Sequence, residues 1–130
     1  MSTIRMAMVL GVFSVLAVSL SMGHALVYAQ GASISIVPNA ATLGDKSYSP
    51  NPGEVKVGES VTWTNDDTQI HTAVSGISPL NDTAGSGPDG LFDSGIMQPK
   101  DTFEFTFDQA GEYNYYCTLH PQMVAKIVVS

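Results

Sequence analysis

The stretch Thr102-Phe103-Glu104-Phe105-Thr106-Phe107-Asp108-Gln109-Ala110-Gly111-Glu112-Tyr113-Asn114-Tyr115-Tyr116-Cys117 decides the fold. Its first six residues alternate strictly and set three phenylalanines on one side, the period of a half-buried strand. Asp108 to Gly111 is a turn signal, after which period two puts Tyr113, Tyr115 and Cys117 on one face. The thiol is therefore expected at the end of a strand, facing the same interior as two aromatic rings. Tyr113 is expected to cap the strand corner near Asp108 and Gly111.

Outward from this pair the text stays β. Met123 to Ser130 predicts a closing strand with Ala125, Ile127 and Val129 on one face. Upstream, Ala32 to Val37 reads as a first strand ended by Pro38-Asn39. Tyr48-Ser49-Pro50-Asn51-Pro52-Gly53 reads as a connector, because two prolines cannot serve a central ladder. Glu54 to Val57 and Ser60 to Thr64 predict two strand segments with Val55, Val57, Val61 and Trp63 inward. Asn65-Asp66-Asp67 is a turn signal before Ile70 to Val74. Ser75 to Gly90, with four glycines and two prolines, predicts a long surface loop, and Leu91 to Gly95 a short strand. Asn81-Asp82-Thr83 is a weak glycosylation sequon. Six to eight short strands without repeats predict an all-β, Greek-key β-sandwich in one domain, residues 31–130.

Residues 1–29 have the form of an export signal: Arg5, an apolar stretch from Met6 to about Leu20, then small residues with Val27-Tyr28-Ala29 fitting a cleavage rule. A retained N-terminal membrane anchor is the alternative, since Met6 to Ala29 approaches the roughly 20 apolar residues that span a bilayer. Either way the domain is expected outside the cytoplasm: periplasm, pseudoperiplasm or the extracellular face. Beyond the leader, four lysines face twelve carboxylates, a net charge of −8 with histidines neutral. Nucleic-acid binding needs a basic footprint and is excluded. An acidic surface suits solubility and steering toward a cationic partner over a Debye length of about 8 Å.

The residues that carry chemistry are few. The chain has one Cys and three His, of which His24 lies in the leader. A lone cysteine cannot form an intramolecular bridge, so in an exported protein it is a free thiol or a ligand. Cys117, His120 and Met123 stand three residues apart after the strand, and His71 is the remaining histidine upstream. One thiolate, two imidazoles and a weak thioether form the blue-copper donor set. Met123 as core filler with Gln122 as axial donor is an alternative, and Met97, beside Pro99, reads as core or surface. Zinc is the rival metal, since one Cys and two His also make a catalytic zinc set, but no general base is placed near it. Too few histidines remain for a multicopper oxidase.

Asp108 to Met123, with Val55-Lys56-Val57-Gly58-Glu59-Ser60-Val61-Thr62-Trp63 and His71, resembles the cupredoxins, the type 1 blue-copper family, in their plastocyanin/amicyanin-like form. The short Cys-x-x-His-x-x-Met loop is the discriminating part. The resemblance implies copper as cofactor, one ion per chain, with His71, Cys117 and His120 as equatorial ligands and Met123 as axial ligand. It implies electron passage through a solvent-facing His120 ring, with Leu119, Pro121 and Pro79 or Leu80 as its apolar surround where redox partners dock. Many of the family place Asn directly after the first histidine; here Thr72 stands there, and its hydroxyl and backbone N–H are the candidates to replace it. The expectation is a monomeric electron-transfer protein, not an enzyme; the alternative is a copper chaperone or storage protein using the same ligands.

Overall fold

The computed structural model describes residues 31–80 and 84–130. The leader, residues 1–29, and the sequon Asn81-Asp82-Thr83 lie outside the described residues. Among the described residues no helix is long and apolar enough to cross a membrane.

Among the described residues nine strands form two sheets: β1 Ala32–Ile36, β2 Tyr48–Ser49, β3 Gly53–Val55, β4 Ser60–Asn65, β5 Val74–Ile77, β6 Gly87–Asp93, β7 Thr102–Thr106, β8 Gly111–Tyr116 and β9 Val124–Val129. One sheet runs β2-β1-β4-β7 and the other β3-β9-β8-β5-β6. The β1–β4 and β3–β9 pairs are parallel and the rest antiparallel. The chain crosses repeatedly between sheets, which is the cupredoxin β-sandwich.

The alternation read from the sequence is the register of the core. Val61 and Trp63 of β4, Tyr115 of β8, and Ile127 and Val129 of β9 point between the sheets and are buried. Each such side chain contributes about 1.5–3 kcal/mol on burial. Phe103 and Phe105 pack half-buried against this cluster, and Phe107 is buried. Trp63 is the hub: its ring lies 5.2 Å from Phe92, 5.6 Å from Phe103 and 5.5 Å from Tyr115. The Tyr113 hydroxyl donates to the Gln109 carbonyl at 2.7 Å, closing the corner before β8.

Three expectations are corrected. Ser75 to Gly90 is not one loop: β5 runs to Ile77 and β6 begins at Gly87. Gly76 allows the approach, since a Cβ there would stand 2.1 Å from the Gly87 carbonyl oxygen, and its φ of +132° suits glycine alone. The Phe92 N–H donates to the Ser75 hydroxyl, which itself donates to the Asp89 carboxylate. An edge strand exposed along most of its length needs no apolar alternation, so composition hid its first residues, Gly87 to Gly90, while Leu91 to Asp93 fall in the expected short strand. Val57 is 49% exposed because β3 ends at Val55 and the chain turns there. Tyr48-Ser49 is an edge strand, with Pro50 and Pro52 falling in the crossing between sheets.

This topology gathers one end of the sandwich. The ends of β1, β4, β6 and β8 and the starts of β5, β7 and β9 all lie there, as the pairs Ile36 with Asn65, Thr64 with Thr102, Val74 with Asp93 and Tyr116, and Tyr116 with Val124 require. The segment between β1 and β2 crosses the same end as two single 3₁₀ turns, Ala40–Thr42 and Gly44–Lys46.

Candidate metal centre

Cys117 follows the last residue of β8 and Met123 precedes the first of β9, so the hairpin between them is held at both ends. The Cys117 N–H donates to the Met123 carbonyl at 3.1 Å, and the Met123 N–H to the His120 carbonyl at 2.9 Å. Cys117 and Met123 are fully buried, while His120 and Pro121 are half-buried. The Ser78 hydroxyl anchors the loop from outside, donating to the Pro121 carbonyl at 2.6 Å.

His71 enters from the segment between β4 and β5, where it forms a two-way bridge with Met97: Met97 N–H to His71 carbonyl at 2.8 Å and His71 N–H to Met97 carbonyl at 3.2 Å. Asn65 braces this segment, donating to the Gln69 and Met97 carbonyls and accepting the Asp67 N–H. His71 is wholly buried.

The donor atoms of His71, Cys117 and His120 converge within 4.8 Å of one another. Cys117 Sγ lies 4.0 Å from His71 Nδ1 and 3.7 Å from His120 Nδ1, and the two rings are 5.0 Å apart. Burial, and then the neighbouring His71 ring, pull His120 below the ordinary imidazole pKa, which keeps its lone pair free for a metal. A thiolate flanked by two imidazole nitrogens fits copper, and it sits where the fold excludes water on one side. The Thr72 N–H points at Cys117 Sγ at 3.4 Å, a donor suited to a sulfur carrying charge.

Thr72 occupies the departure noted in the sequence and does the expected work by two routes. Besides its N–H, its hydroxyl oxygen accepts the Thr118 N–H at 2.8 Å and meets the Thr118 hydroxyl at 3.0 Å. The two ligand segments are thereby stitched beside the sulfur. Tyr48 adds a third tie, its hydroxyl donating to the Thr72 carbonyl at 2.6 Å.

Gln122 is exposed and its amide donates to the Ala41 carbonyl, so it is turned away from the site, and Gln122 as axial donor is corrected. Met97 is core, 2% exposed. Sequence reasoning missed Asp67, which it read only as part of a turn. Asp67 is 5% exposed, with Oδ2 2.8 Å from His71 Nε2. Burial alone would raise its carboxyl, but hydrogen bonds from His71, the Asn39 N–H and the Thr68 N–H outweigh that and hold it below its ordinary value. A carboxylate four residues before the upstream histidine was the signal available.

The chain is similar to proteins with this architecture. It is 37% identical to an amicyanin of Paracoccus denitrificans over 75 residues, 58% of this chain and 52% of that protein, so the match spans about half the relative's length. It is 33% identical over 108 residues to a chloroplastic plastocyanin of Tetradesmus obliquus, covering 76% of this chain and 73% of the relative. Among solved structures, a novel purple cupredoxin from Nitrosopumilus maritimus is 37% identical, with a TM-score of 0.66 over 76% of this chain and 99% of its own. The model of copper binding proteins of the plastocyanin/azurin family matches residues 36–130, from the last residue of β1 to the end of β9. Both segments that supply the converging donors fall inside that match, and the chain belongs to the plastocyanin/azurin family of copper-binding proteins.

Proposed function

We propose that this chain is an exported blue-copper carrier that passes single electrons between larger redox proteins, and that it is not itself an enzyme. The observation that carries this reading is the convergence of one buried thiol and two imidazoles within 4.8 Å. Bound copper would supply the one-electron Cu(I)/Cu(II) couple. His71, Cys117 and His120 would hold it, with Met123 as the weak axial ligand that tunes the potential. Main-chain bonds at both ends of the ligand hairpin and across Thr72 resist rearrangement. A site that does not move between valences transfers electrons quickly.

His120 is the one ligand of the three that is not fully buried, which supports it as the point of entry and exit. Leu119 at 44% and Leu80 at 66% exposure, with Pro79 and Pro121, offer the apolar contact a docking partner would cover. The charge of −8 beyond the leader favours a partner with a cationic face. The leader and the family of the relatives support export.

An absorption spectrum of the purified protein with copper, reduced and reoxidised, tests the reading. The oxidised form should be intensely coloured by thiolate-to-Cu(II) charge transfer, bleach on reduction and recover, and Cys117→Ser should be colourless. A redox-silent, colourless copper form would sink it. Rapid self-exchange with retention of the ion marks a carrier, whereas ready surrender of Cu(I) to an acceptor would mark a chaperone.

A further inference from the structure

The two oxygens of Asp67 have separate occupations. Oδ1 accepts the Thr68 N–H at 2.7 Å and the Asn39 N–H at 3.1 Å. Oδ2 faces His71 Nε2 at 2.8 Å. An ionised carboxylate only accepts, so the hydrogen of this contact belongs to Nε2. In the neutral imidazole that metal binding requires, the single N–H is then the one on Nε2, and Nδ1 carries the bare lone pair. Nδ1 is the nitrogen aimed at Cys117 Sγ.

We propose that Asp67 is a positioning residue that locks His71 in the Nε2–H tautomer and aims its Nδ1 lone pair at the metal; this deepens the copper reading and rests on it only for the identity of the ion. Metal-bound histidines are commonly oriented in this way through their second nitrogen.

The carboxylate is itself held from outside its own loop. Asn39, at the start of the 3₁₀ segment between β1 and β2, has φ 63° and ψ 26°, a left-handed conformation that asparagine tolerates better than most residues. That conformation accompanies the N–H that meets Oδ1. The adjoining Asp66 is fixed to β1, its N–H donating to the Ile36 carbonyl and its Oδ2 accepting the Ser35 hydroxyl. Rotating Asp67 away from His71 would break its bonds to Asn39 and Thr68. The segment that crosses the site therefore reaches His71 through one carboxylate.

A carboxylate that merely closed its loop would need only Oδ1. Asp67→Asn separates the two roles, because its Oδ1 can still accept from Asn39 and Thr68 while an NH₂ donor replaces the acceptor facing His71. An NH₂ there favours a bare Nε2 and moves the ring hydrogen to Nδ1, where it obstructs the metal.

The test is long-range ¹H–¹⁵N NMR of metal-free, ¹⁵N-labelled protein with the imidazoles neutral, paired with Cu(II) competition against a chelator. Wild-type His71 should show protonated Nε2 and bare Nδ1. D67N should show the opposite tautomer, an otherwise unchanged backbone amide spectrum, and Cu(II) binding weaker by about 10–100-fold. A wild-type His71 protonated at Nδ1, or a D67N protein with tautomer and affinity unchanged, would overturn the proposal. If D67N does not fold, the wild-type spectrum decides alone. Failure of the carrier reading looks different: His71 carries its hydrogen on Nε2, yet the copper-loaded wild type is colourless.

Discussion

Replacing Thr72 by valine removes one hydroxyl from the seam between the ligand segments and leaves shape nearly constant. Two contacts disappear: the Thr118 N–H at 2.8 Å and the Thr118 hydroxyl at 3.0 Å. A hydrogen bond is worth about 1 kcal/mol net, and an orphaned buried donor costs about 1–3 kcal/mol. Thr118 is exposed, so water can satisfy part of what Thr72 gives up. The loss in the metal-free protein should therefore be about 1–2 kcal/mol, a drop in Tm of roughly 4–15 °C for a domain near 100 residues.

Thermal and urea unfolding of metal-free Thr72→Val and wild type measure this directly. Thr72→Ser should recover most of the loss, since it keeps the hydroxyl. The N–H that meets Cys117 Sγ belongs to the main chain and survives every substitution here except proline, so copper-loaded Thr72→Val should stay coloured. A Tm within about 1 °C of wild type would refute the seam, because such a shift corresponds to only a few tenths of a kcal/mol. Loss of colour with unchanged Tm would place the hydroxyl's effect on the sulfur rather than between the loops.

Gly76→Ala should lower stability by at least about 2 kcal/mol in urea unfolding, since φ +132° is strained for alanine and its Cβ would stand 2.1 Å from the Gly87 oxygen; an unchanged midpoint would mean that β5 and β6 do not approach as described. Burial raises the Tyr48 hydroxyl well above its ordinary 10. Its contribution is intact below that pH, but above it the unfolded chain releases a proton the folded one keeps, so stability falls at about 1.4 kcal/mol per pH unit. Tyr48→Phe should remove that part of the alkaline slope, as urea midpoints across the range would show. Met123→Leu should keep the colour and raise the reduction potential in voltammetry; loss of copper altogether would show Met123 to be more than a weak axial ligand.

The readability of this chain follows from how each residue's environment is written. The core of β4, β7, β8 and β9 was legible because one side of each strand faces apolar interior, and period two then records the burial of Trp63 and Ile127 and the half-burial of Phe105 directly in the text. The cluster of His71, Cys117 and His120 was legible because the chain has almost no other soft groups: one Cys, and two histidines beyond the leader. The first half of β6, Gly87 to Gly90, was not legible, since an edge strand pairs through its backbone and leaves most of its side chains to solvent, whereas Leu91 to Asp93 fall in the short strand the sequence predicts. Asp67 was hidden for a related reason. Its partners are two main-chain N–H groups and a ring nitrogen, and one of those N–H groups belongs to a residue 28 positions away. A donor set is a matter of residue types and their spacing, which the sequence carries; what orients a donor is a matter of which segments cross the same end of the sandwich. Thr72 sits between the two cases. It stands next to His71, so its place was visible, but that its hydroxyl reaches Thr118 depends on β5 and β8 being neighbours, which is a fact of topology.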